Sequence, residues 1–144
     1  MEPIREASPY VEANPLAGSA SALPYVPILL QLGARQVAAS GLVDSGAALS
    51  VLPYDLGVEL GAVWEHQTMP VRLTGNLAES DARAIVLLAR IGQFSPVRLA
   101  FAWTRSNRAP LILGQVNFFM EFDVCFYRSR LLFELVPKNL LEVT

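Results

Sequence analysis

The residues best suited to chemistry are Asp44, Ser45 and Gly46, which end the apolar pair Leu42-Val43 and lead through Ala47 into a second apolar stretch, Leu49-Ser50-Val51-Leu52. A carboxylate carried to the end of a buried strand is penalised in its charged form, so it persists there only where it is hydrogen-bonded, paired or used. Ser45 adds a hydroxyl, and Gly46 permits a tight turn and the close approach of another backbone or a ligand. That set suits acid/base work by a carboxylate. The same three residues are also turn formers. An Asp followed by Ser or Thr and Gly arises by chance in roughly 5–10% of chains this long, so the tripeptide alone does not specify a site.

A second landmark lies far downstream. Pro110-Leu111-Ile112-Leu113-Gly114 again drives an apolar strand into a glycine and is followed by Gln115-Val116-Asn117-Phe118-Phe119. Taken together, the two stretches resemble the retropepsin-like aspartic proteases, the single-lobed, retroviral-type family. In that family a strand ending in Asp-Thr/Ser-Gly-Ala is crossed from behind by a later hydrophobic-hydrophobic-Gly strand that leads into a short helix. The resemblance spans roughly residues 23 to 137. It implies an all-β, closed-barrel fold with one short C-terminal helix and a flap hairpin, assembled as a homodimer.

Composition narrows the alternatives. At 144 residues the chain is long enough to bury one core, and with 53% hydrophobic and 17% charged residues it reads as an apolar-rich globular domain. The net charge is −2, the arginines are scattered and Lys138 is the single lysine, so no basic stripe suggests nucleic acid. One cysteine, Cys125, and one histidine, His66, make neither an internal disulfide nor a conventional zinc site. No metal or cofactor is expected. The first residues lack both a basic and an apolar leader region, and no apolar run reaches bilayer-spanning length, so the expectation is a cytoplasmic protein without a membrane partner.

Two units are expected: an irregular N-terminal arm over residues 1–22, rich in Pro, Ala, Ser and Glu and ordered only by docking, and the protease-like domain over 23–144. Within the domain, Pro24–Leu32 and Gln36–Val43 read as a hairpin turning at Gly33 and delivering Asp44. Tyr54 to Gly61 reads as a short helical turn ended by glycine. Strand-like composition from Trp64 to Leu73 and from Arg83 to Ile91 flanks turn formers, which predicts a hairpin with its tip at Thr74, Gly75 and Asn76. Pro96–Trp103 reads as another strand. Gln115–Glu121 carries Val116, Phe119 and Met120 on one helical face. Phe122–Phe126 and Leu131–Val136 then form a closing hairpin, with Cys125 expected as a buried small hydrophobe.

The resemblance assigns roles to these positions. Asp44 is the catalytic carboxylate. Ser45 belongs to a hydrogen-bond lattice across the dimer axis, and Gly46 and Ala47 form the floor that meets substrate backbone. Thr74, Gly75 and Asn76 lie at the flap, and Ile112, Leu113 and Gly114 form the strand that crosses behind the site. Peptide hydrolysis by carboxylates needs two of them sharing a proton. The Asp44-Ser45-Gly46 pattern occurs once, so the second carboxylate is expected from another copy of the chain. Asp55, which precedes Leu56-Gly57 with no hydroxyl between, and the lone His66 are read as surface or structural residues. The alternative is a catalytically silent or weak dimerisation and peptide-binding module on the same fold.

Overall fold

The computed structural model describes residues 5–138. The ends of both expected units, residues 1–4 and 139–144, lie outside the described residues. Eleven strands and two short α-helices are described, which makes the fold predominantly β.

The barrel begins with the expected hairpin. Strand β4 (Tyr25–Leu32) follows three short N-terminal strands, β1 (Glu6–Pro9), β2 (Val11–Glu12) and β3 (Ala22–Leu23), and pairs antiparallel with β5 (Arg35–Val43). Leu32 opposes Arg35, leaving a two-residue turn whose first position, Gly33, has φ 59°. A positive φ at that position suits a tight hairpin and favours glycine. In β4, Val26, Ile28 and Leu30 point into the core while Pro27 points out. This alternation sets the register, because a one-residue slip would turn the apolar set to solvent.

Closure needs four further strands: β6 (Val51–Leu52), β7 (Ala82–Arg90), β8 (Val97–Thr104) and β9 (Leu111–Leu113). The order round the barrel is β4-β5-β9-β6-β8-β7, with β7 returning to β4. Two contacts are parallel, β5 with β9 and β6 with β8, so the chain crosses itself beneath Asp44 and does not simply meander. The core holds Leu30, Leu52, Leu99, Trp103, Leu113, Phe118 and Phe133. Helix α1 (Tyr54–Glu59) caps one side and ends before Gly61, φ 81°, as expected. Gly57 lies directly on the Trp103 ring, where a Cβ would come within 2.3 Å of it. The Trp103 indole N–H is satisfied by the Tyr54 carbonyl at 3.1 Å.

After the crossing strand comes α2 (Phe118–Glu121), four residues long, and then β10 (Phe122–Tyr127) and β11 (Leu132–Pro137), the closing hairpin. The buried residue of α2 is Phe118, whereas Val116 and Met120 are exposed, which corrects the expected helical face. The helix starts three residues later than its apolar spacing suggested, at Phe118 rather than Gln115, and this rotates the buried position. Cys125 is exposed on β10, a correction to its expected burial. Composition made β10 look internal, but it is an edge strand with one face in solvent.

The segment read as an irregular arm contains β1, which pairs with β11 to give a three-stranded sheet in the order β1-β11-β10. The Glu6 carboxylate also accepts the Gln93 N–H at 2.8 Å, tying the arm to the turn between β7 and β8. Docking on the chain itself therefore orders it.

Candidate active site

Asp44 follows the last residue of β5 and is half-buried, with Val43 buried before it and Ser45 and Gly46 exposed after it. Its backbone N–H donates to the Leu113 carbonyl at 3.0 Å, so β9 fixes the height at which the turn begins. The turn is then closed twice. The Gly46 N–H donates to the Asp44 Oδ1 at 2.9 Å, and the Ala47 N–H donates to the Asp44 carbonyl at 3.2 Å. A Cβ on Gly46 would sit 3.3 Å from that carboxylate oxygen, tight enough to push it. One carboxylate oxygen is thus oriented by the backbone. Asp44 is absent from the salt bridges of the described residues.

The crossing is tightest at Gly114. A Cβ there would fall 2.4 Å from the Leu49 carbonyl oxygen and 2.8 Å from that of Ala47, so no side chain fits. Its N–H donates to the Ser50 hydroxyl at 3.0 Å, and Ser50 is fully buried. The neighbouring N–H groups of Gln115 and Val116 donate to the carbonyls of Ala47 and Ala48 at 2.8 and 2.9 Å. The Gln115 side-chain amide donates to the Ser45 carbonyl at 2.8 Å. Ser50 and Gln115 are site residues that the sequence reading missed. Their only signal was position, six residues after Asp44 and one after Gly114, because their partners come from the other crossing segment.

Asp44 and Ser45 border a cavity of about 330 Å³ lined also by Leu23, Pro24, Leu42, Val43 and Phe126. The site therefore has one carboxylate, a rigid floor and an apolar wall. Asp44, Ser45, Gly46 and Ala47 are brought together with Ile112, Leu113 and Gly114. Thr74, Gly75 and Asn76 are not joined to them: all three are exposed, and no hydrogen bond among the described residues links them to the Asp44 turn.

The segment expected as the first flap arm, Trp64 to Leu73, is not a strand. It opens with a single 3-10 turn, Trp64–His66, and meets β7 through one bridge, Pro70 opposite Arg83, flanked by bonds from Val71 to Ala82 and from Ala84 to Met69. Pro70 has no N–H to give a ladder. Arg83 holds the base of the loop: its guanidinium donates to the carbonyls of Trp64 and Gln67 at 2.7 and 3.1 Å and lies 4.6 Å from the Trp64 ring centre. A second cleft, about 570 Å³, opens beneath the loop between Val71, Leu73, Ser80 and Arg83.

Outside the site, His66 and Asp55 are exposed, and the Asp55 N–H donates to the Asn107 side chain. No three His, Cys, Asp or Glu side chains among the described residues gather as a metal-holding group. No helix among them is long and apolar enough to cross a membrane.

No family model matches the chain, and no curated protein sequence matches it. Solved structures do. A retropepsin-like aspartic protease from Rickettsia conorii is similar over 96% of this chain and 98% of its own, with a TM-score of 0.60 and 15% identity. The retroviral protease-like domain of Ddi1 from Leishmania major is similar over 70% of this chain and 79% of its own, with a TM-score of 0.55 and 18% identity. With its closed six-stranded barrel and crossed strands beneath Asp44, the chain has the fold of the retropepsin-like aspartic protease domains.

Proposed function

We propose that the protein is an aspartic endopeptidase in which Asp44 from each of two chains forms the catalytic dyad. The observation that carries this reading is the Asp44 turn, a half-buried carboxylate oriented by the Gly46 N–H at the rim of a cavity and backed by a crossing strand that leaves no freedom beneath it. Two such carboxyls in contact cannot both ionise cheaply. One takes a proton from water as that water attacks the scissile carbonyl, and the other, protonated, donates to the carbonyl oxygen. The proton is returned to the leaving amine as the tetrahedral intermediate collapses. No metal or cofactor enters these steps.

Substrate lies extended over Gly46 and Ala47 and bonds as an added strand, with alternate side chains entering pockets. The loop carrying Thr74, Gly75 and Asn76 closes over it. Gly75 supports this role, since it is exposed at the tip with φ 65° and no atom lies within 4 Å of its Cβ position. A mixed peptide library incubated from acidic to neutral pH tests the reading. Cuts that vanish in Asp44→Asn are expected. Their absence from the wild type leaves a peptide-binding module, and their survival in Asp44→Asn contradicts the mechanism.

A further inference from the structure

We infer that Gln115 is a positioning residue for the Asp44 carboxylate: its side-chain amide holds the central peptide of the Asp44 turn in the orientation that aims the Gly46 N–H at Oδ1. The consequence for catalysis rests on the protease reading. The orientation of the peptide rests on the geometry alone.

The Ala47 N–H donates to the Asp44 carbonyl, so Asp44-Ser45-Gly46-Ala47 is a hydrogen-bonded β-turn whose central peptide joins Ser45 to Gly46. That peptide is planar and trans, and its carbonyl and N–H point to opposite sides. The Gly46 N–H donates to the Asp44 Oδ1 on one side at 2.9 Å, and the Gln115 Nε2 donates to the Ser45 carbonyl on the other at 2.8 Å. The plane is clamped from both sides.

A clamp matters here because glycine makes the alternative accessible. Turns of types I and II differ by a flip of the central peptide, and type II requires a positive φ at the third residue, which glycine adopts at no steric cost. Gly46 is not among the glycines at positive φ, so the turn is held away from that form. A flip would exchange the two groups, setting a carbonyl oxygen against the carboxylate and removing the donor to Oδ1.

Ordinary backbone pairing does not supply this clamp. The carbonyls of Asp44, Ala47 and Ala48 accept the backbone N–H groups of Ala47, Gln115 and Val116, whereas the Ser45 carbonyl accepts only a side chain among the described residues. Gln115 is anchored for the task, since its own N–H donates to Ala47 at 2.8 Å. Both Gln115 and Ser45 are exposed, so the side chain fills no core space. Its replacement removes a donor and leaves the packing intact.

Two variants separate the donor from the bulk. Gln115→Met keeps an unbranched side chain of similar length without an N–H, and Gln115→Arg returns one, with its Nε–H at the same place along the side chain as the Gln115 Nε2. In the proton–nitrogen NMR spectrum of the protein, the Gly46 amide of Gln115→Met is expected to move upfield and to exchange several-fold faster, while the amides of Ser50, Gly114 and Val116 stay in place. On peptide, kcat should fall about 2–10-fold, the contribution of one hydrogen bond, with a smaller change in KM, and Gln115→Arg should restore both readouts. A Gly46 signal that stays in place in Gln115→Met, a change that spreads through Ser50, Gly114 and Val116, or one that Gln115→Arg fails to reverse overturns the inference. So does full kcat in a Gln115→Met protein whose Gly46 amide has moved. The amide is read without substrate, which keeps the two readings apart: a wild type that cuts no peptide but shows the Gly46 change retains the clamp and discards the protease.

Discussion

Asp44 can be tested as a single residue because its supports are backbone groups. Asp44→Asn keeps the side-chain shape and the acceptor used by the Gly46 N–H but cannot act as base. Cleavage is expected to fall by roughly 10²–10⁴-fold, the usual range for losing a positioned acid/base group, with an unchanged circular dichroism spectrum. Loss of folding would make Asp44 structural. Ser50→Ala probes the floor instead. It leaves the buried Gly114 N–H without its hydroxyl acceptor and should cost about 1–3 kcal/mol of stability in a denaturant melt. Asp44, Gly46 and Gly114 were legible in the sequence because a charged or glycine residue interrupting an apolar run is conspicuous locally. Ser50 and Gln115 were not, since a hydroxyl or amide acquires a role only when a distant segment presents its partner.

At the scale of elements, the hairpin β4-β5, the crossing strand β9 and the closing hairpin β10-β11 were legible from alternation and turn residues. The loop from Trp64 to Leu77 was not. Its β-prone composition met Pro70, and the apolar residues that would have made a strand pack instead into separate contacts, Trp64 against Trp103 with ring centroids 5.2 Å apart and Leu73 with Ala82. The strand within the arm was not legible for a similar reason, because β1 is stabilised by pairing with β11 and not by its own polar sequence. Two predictions belong here. Gly57→Ala forces a methyl against the Trp103 ring and should destabilise the protein by about 1–3 kcal/mol, read from the melting midpoint; an unchanged midpoint would mean that α1 lifts freely. In hydrogen exchange, a statine-type inhibitor should protect residues 72–84 together with the Asp44 turn, as a closing lid requires. Protection at Asp44 alone would remove the loop from the site.

At the scale of the molecule, the proposed activity turns on whether one chain suffices. On the proposed mechanism each chain supplies one Asp44, so the shared proton requires two chains. Specific activity should fall on dilution through the dimer midpoint, and an inhibitor that binds only the dimer should move that midpoint to lower concentration by mass action. The most direct measurement mixes wild-type chains, at fixed concentration, with increasing Asp44→Asn chains under conditions of subunit exchange. Heterodimers hold half a dyad, so activity is expected to drop in proportion to the wild-type chains they sequester. Activity that stays constant as the variant is added, while light scattering reports mixed dimers, would place both catalytic groups within one chain and contradict the account.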